Sequence, residues 1–152
     1  MGGYGAKSNK VKGTHYTDTH DRKVTDKNSI TVAEFYVNHG NYVAFLHEGT
    51  YSRADMSVDG HHVEVKGLST LSPNEVEKQL RKAFKQVHGD RPRYPPETWR
   101  EGKVIILSKH DSSLSETTIL EKMQQGYEIA KRKNEVTALV EVWIRNKIYR
   151  LT

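Results

Sequence analysis

Asp55, Glu64 and Lys66 are the residues whose types and spacing can do chemistry. They lie in the run Ala54-Asp55-Met56-Ser57-Val58-Asp59-Gly60-His61-His62-Val63-Glu64-Val65-Lys66. Asp59-Gly60 stands between two alternating stretches, Arg53 to Val58 and His62 to Lys66, which is the strongest short signal for a β-hairpin. A two-residue loop there sets Val58 opposite His61, Ser57 opposite His62, Met56 opposite Val63, Asp55 opposite Glu64 and Arg53 opposite Lys66. Side chains alternate across a strand. Met56, Val58, Val63 and Val65 therefore share one face, and Arg53, Asp55, Ser57, His62, Glu64 and Lys66 share the other, which is expected to be wet. Two directly opposed carboxylates destabilise a hairpin by about 0.2–1 kcal/mol. A divalent cation held between their oxygens compensates, as do Lys66 and Arg53 acting as counter-charges, or a raised pKa on one acid. The first and third are features of catalytic sites. The plain alternative is a solvated face of mixed charge, and a one-residue slip in the turn would separate the acids.

Other elements must hold this hairpin. Thr31 with Glu34 forms a capping box, and Val32, Phe35 and Tyr36 predict a short helix that Gly40 ends. Tyr42 to Leu46 reads as a strand. Ser72, Pro73 and Glu75 open a second helix, with Val76, Leu80, Phe84 and Val87 as one apolar stripe. His88 to Gly102 holds three of the four prolines and reads as a loop. Val104 to Leu107 is a short buried strand. Ser113 and Glu116 start a third helix with Ile119, Leu120, Met123, Tyr127 and Ala130 inward. Ala138 to Ile144 and Ile148 to Leu151 form a closing hairpin through Arg145, Asn146 and Lys147. The expected fold is α+β: helix, three-strand meander, helix, strand, helix, closing hairpin, with one mixed or antiparallel sheet packed by helices. Residues 1–28 are Gly-, Lys- and Thr-rich without apolar periodicity and read as a flexible basic lead-in; residues 29–152 are the expected domain.

Bulk properties narrow the classes. The 152 residues suffice for one domain with a real core. No apolar run is long enough to span a bilayer, and Met1 to Gly13 has no stretch of signal-peptide type. The absence of cysteine excludes disulfides, thiolate zinc sites and thiol nucleophiles. The eight histidines show no metal-ligand spacing. A formal charge of +5 and a pI near 9.3 favour an anionic partner, most simply nucleic acid.

The run from Asp55 through Glu64-Val65-Lys66 resembles the acid, spacer, Glu-x-Lys signature of PD-(D/E)xK nucleases, with Ala54 where that signature has proline. In that superfamily a core helix precedes three strands, a helix and a fourth strand. The resemblance implies that Asp55 and Glu64 hold Mg²⁺, that Lys66 supports the attacking water or the developing charge, and that Glu34 supplies an extra acid. A second resemblance covers Ala33 to Leu151: the hairpin, a helix ending Lys-Ala-Phe-Lys85-Gln86, the Val-Ile-Ile-Leu strand, a helix, and the closing Glu-Val-Trp143-Ile-Arg-Asn-Lys-Ile-Tyr149-Arg150-Leu. That layout is similar to the C-terminal tRNase toxin domains of contact-dependent growth inhibition proteins, of the barnase/EndoU/colicin/RelE group. It implies release into the cytoplasm of a neighbouring bacterium from a larger secreted protein, cleavage of RNA without a metal cofactor, and neutralisation by an immunity protein, expected to be acidic. The ribose 2′-OH would then be the nucleophile, Glu64 or His62 the base or acid, and Lys66 the cation; Tyr149 and Arg150 are further candidates.

The second helix carries Lys78, Arg81, Lys82 and Lys85 on its polar side, a phosphate-tracking face or a solubilising one; Gln86 follows them. Arg91, Arg93, Tyr94, Trp99 and Arg100 interleave basic and aromatic residues in the Pro-rich loop, which suits stacking on unpaired bases or simple packing of Trp99. Three functions follow: an endoribonuclease toxin, favoured and with tRNA as the favoured substrate; a Mg²⁺-dependent DNA endonuclease; and a non-catalytic nucleic-acid-binding module.

Overall fold

A computed structural model describes residues 10–11, 15–18, 20, 22–46, 54–88, 102–134 and 137–152. Strands β1 (Lys10–Val11) and β2 (His15–Tyr16) pair antiparallel as a small separate sheet. Helix α1 (Lys27–Asn38) is followed by β3 (Val43–Phe45), β4 (Met56–Val58) and β5 (His61–Leu68). Then come α2 (Pro73–His88), β6 (Lys103–Ser108), α3 (Glu116–Lys133), β7 (Leu139–Ile144) and β8 (Lys147–Arg150). This is the expected α+β order. The six strands from β3 to β8 form one mixed sheet in sequence order. The β3–β4–β5 meander and the β7–β8 hairpin are antiparallel; β5–β6 and β6–β7 are parallel, joined through α2 and α3.

Helices cover both faces. Val32 and Ala33 of α1 pack on Met56, Val58, Val63, Val65, Ile105 and Leu107. On the other face, Val76, Leu80 and Phe84 of α2 and Ile119 and Met123 of α3 pack on Leu68, Val104, Ile106, Val140 and Val142. The helices α2 and α3 approach so closely that a Cβ at Gly126 would lie 2.5 Å from Val76 Cγ1 and 2.9 Å from the Pro73 carbonyl oxygen.

Two expectations are corrected. The first helix starts at Lys27, capped by Asp26, whose carboxylate accepts from the Asn28 N–H. Thr31 sits inside the helix, its hydroxyl donating to the Lys27 carbonyl, so Thr31 and Glu34 form no box; Gly40, at φ +84°, does end the helix. The expected lead-in is also partly built into the fold. Tyr16 is buried with its ring 5.4 Å from that of Phe45, and Asp18 bridges to Phe45.

Candidate active site

The hairpin closes in the expected register. Met56 pairs with Val63, Ser57 with His62 and Val58 with His61. Asp59 and Gly60 both have positive φ (50° and 88°), as a two-residue type I′ turn requires. The Asp59 carboxylate also receives the Tyr42 N–H at 2.9 Å and the Asn41 amide at 2.7 Å, tying the turn to the entrance of β3. Asp55 lies just before β4, and its Oδ2 accepts from the Val65 N–H at 2.8 Å. The side chain thus continues the ladder where the strand's own pairing stops, and this bond fixes Asp55 beside Glu64.

Glu64, however, is buried, only 2% exposed. The polar side of β5 was expected to be wet. Instead Glu64 pairs in register with Val104 and Lys66 with Ile106, and both neighbours belong to the layer that α2 and α3 cover. The strand is central in a sheet with helices on both sides, so its second face cannot stay open. Glu64 Oε2 meets Lys66 Nζ at 3.1 Å. Its Oε1 is buried and, among the described residues, has no hydrogen-bond partner. Burial first, and then the negative charge of Asp55, push Glu64 up to about 8, against the opposing pull of Lys66. Burial likewise raises Asp55, while the Val65 N–H and Lys66 lower it. The hydrogen bond between the two carboxyls raises Glu64 and lowers Asp55.

A cavity of about 410 Å³ opens at Asp55, lined among others by Asp18, Arg22, Lys23, Asp26 and Ser29. Ser29 is buried and donates its hydroxyl to Asp26 Oδ2 at 2.8 Å, and the charge of Asp26 raises Asp55. Asp26 and Ser29 are the side chains that α1 brings toward the hairpin acid, and neither was singled out from sequence. Their signal was the Asp-x-x-Ser spacing of a helix cap. Glu34 does not join the cluster. It is exposed on α1, two turns beyond the cap, and its charge acts on Tyr16.

His62 is half-buried on β5, two residues before Glu64 and on the same side of the strand. Lys82 and Lys85 are exposed on α2, as are Lys78 and Arg81. Gln86 is half-buried and its side-chain oxygen is unpartnered among the described residues. Arg53, Arg91, Arg93, Tyr94, Trp99 and Arg100 lie outside the described residues. Arg150 and Tyr149 are not brought to the hairpin acids. They sit on β8, the edge strand, three positions from β5 in the sheet, roughly 14 Å at 4.8 Å per strand. Tyr149 instead donates its hydroxyl to Glu116.

Among the described residues no three His, Asp or Glu side chains converge to hold a metal ion. The pair Asp55 and Glu64 suits a hard cation that takes one or two carboxylates and completes its shell with water and substrate oxygens, as Mg²⁺ does. The orphaned Glu64 Oε1 is the donor such an ion would use. No helix among the described residues is long and apolar enough to cross a membrane. No family model, curated protein or solved structure matches the chain.

Proposed function

We propose that the chain is an endonuclease that cleaves phosphodiester bonds at the Asp55–Glu64–Lys66 cluster. One observation carries the reading. A buried glutamate has one oxygen 3.1 Å from a lysine amine, and its carboxyl lies against a second acid with no other partner for its Oε1 among the described residues. A structural sheet gains nothing from that arrangement. The helix, three-strand meander, helix and parallel strand that carry it follow the order expected of the PD-(D/E)xK core.

Asp55 and Glu64 would hold Mg²⁺. When bound, the cation supplies charge for the phosphate and acidifies a water. Asp55 is held ready by the Val65 N–H. Lys66, about one-fifth exposed and 3.1 Å from Glu64, would balance the acids and meet the charge that develops on an attacked phosphate. The exposed Lys78, Arg81, Lys82 and Lys85 give α2 a face along which a phosphate backbone can run.

A second reading, the metal-independent RNase toxin, is favoured by the position of Glu64 near neutrality. A carboxyl there can give and take a proton at physiological pH. In that reading an acidic immunity protein covers the basic α2 face.

Cleavage of RNA and of DNA, each with Mg²⁺ and with EDTA, separates the readings. EDTA-sensitive cutting supports the first, and RNA cleavage that survives EDTA supports the second. Salt-dependent binding without any cutting would leave only a binding module. Glu64→Gln should cost at least about 100-fold in rate in either enzyme; normal cutting by that variant would remove the site assignment.

A further inference from the structure

On the α1 face, the parallel strands β6 and β7 end in a groove of about 390 Å³, a volume within the range of small-ligand sites. Its floor is aromatic. The rings of Phe35 and Trp143 meet edge-on at 4.8 Å, and the indole N–H donates to Glu141 Oε1 at 3.1 Å, which fixes the ring. Its rim is cationic. Lys109 is exposed and has no carboxylate partner among the described residues. Lys147 is 65% exposed and only loosely held by Glu116 at 3.7 Å. Arg145 is committed to the Ser112 and Leu114 carbonyls and shapes the wall. Ile148, itself 44% exposed, completes the apolar lining.

The groove connects to the candidate active site through Lys109. Its N–H donates to the Leu68 carbonyl at 2.7 Å, and its Cε lies 3.4 Å from where a Cβ would stand on Gly67, the residue after Lys66. The side chains of Glu64 and Lys66 lie on the other face of the sheet, and a chain that crosses from Lys66 to the α1 face over the carboxyl ends of β5 and β6, the usual place for ligands on parallel strands, meets Lys109 and then the aromatic floor.

We infer that this groove is a subsite for one unpaired nucleotide of the substrate, with the base on Trp143 and Phe35 and the flanking phosphates at Lys109 and Lys147. An aromatic platform with cations beside it is how single strands are held without base-specific readout. Charge selects the occupant: two lysines line the groove, no carboxylate among the described residues lines it, and the nearby Glu116 is taken up by Tyr149 and Lys147, which favours a polyanion over a peptide or an apolar ligand. The inference rests on the nuclease reading, and it adds that the substrate enters with unpaired bases.

The test is binding of a fluorescein-labelled 12-mer of thymidine or uridine to the Glu64→Gln protein, followed by anisotropy. Adding Trp143→Ala should weaken binding about tenfold or more, the loss of one stacked base, while Trp143→Phe should retain most of the affinity. Lys109→Gln with Lys147→Gln should lower the slope of log K against log salt by about 1.4, two single-strand phosphate contacts. An affinity within twofold after Trp143→Ala, or an unchanged salt slope in the lysine pair, overturns the subsite. If Trp143→Ala fails to fold, the lysine variants, both on the surface, decide. Wild-type cleavage is read separately. Trp143-dependent binding by a chain that cuts nothing keeps the subsite and removes the nuclease reading. Cutting with Trp143-independent binding does the reverse.

Discussion

Glu64→Gln should make this protein more stable above neutrality. In the unfolded chain a glutamate ionises near about 4.3, and in the fold burial and Asp55 hold Glu64 up at about 8. Between those values the folded state binds the extra proton, so stability falls as pH rises, by about 1.4 kcal/mol per unit. The ceiling, reached above about pH 8, is about 5 kcal/mol of destabilisation that is absent below about pH 4.3. Glutamine is neutral throughout and escapes it. The pull of Lys66 on the carboxylate, 3.1 Å away, is already contained in that value of about 8 and offsets none of the gain. The variant should therefore be several kcal/mol, at most about 5, more stable than wild type at pH 8.5 and within about 1 kcal/mol of it at pH 5. Urea denaturation of both proteins at half-unit pH intervals, without divalent cations, measures the difference curve. A flat curve, or a variant that weakens as pH rises, would refute the claim that Glu64 is buried against a second acid.

The same pair predicts a ligand effect. Mg²⁺ at ten times its Kd should stabilise wild type by about 1.4 kcal/mol at pH 8 and leave Glu64→Gln almost unmoved, as read by urea midpoints; equal stabilisation of both would place the ion elsewhere. Gly126→Ala puts a methyl 2.5 Å from Val76 Cγ1 and should cost about 1–3 kcal/mol, a fall of about 2–12 °C in Tm by calorimetry. Asp59→Ala removes two hydrogen bonds at the turn and should cost about 1 kcal/mol at pH 7, since the group is exposed. Those bonds hold the Asp59 carboxyl below its usual range, so the loss should vanish as pH falls through that range.

Local signals located most of the fold. Asp59-Gly60 sets the β4–β5 register because a two-residue turn leaves no freedom, and the Val76, Leu80, Phe84 and Val87 stripe is the buried face of α2. The failures have local causes too. Thr31 and Glu34 mimic a capping box more strongly than Asp26, which has no glutamate three residues on. The true start was visible only through Ser29, a buried serine whose hydroxyl bonds Asp26. Tyr16 lies in a polar segment with no periodicity, and only its contact with Phe45 shows that it belongs to the core.

The site divides along the same line. Asp55, Glu64 and Lys66 were legible together because one hairpin carries them, and hairpin geometry is short-range. Whether their face is wet depends on α2, which is joined to β5 by a parallel crossover and lies over it only in three dimensions. That cover turns a surface ion cluster, worth little, into a buried acid pair with a displaced proton. The closing hairpin shows the opposite case. Nothing in residues 138–151 says which edge of the sheet they join. Parallel pairing of β7 with β6 carries Tyr149 and Arg150 away from β5, while the same pairing sets Trp143 beside Leu107 at the carboxyl end of β6. Strand order therefore decides where the residues of that hairpin stand: Trp143 at the carboxyl end of β6 on the face toward α1, and Arg150 on the edge strand, three positions from the hairpin acids.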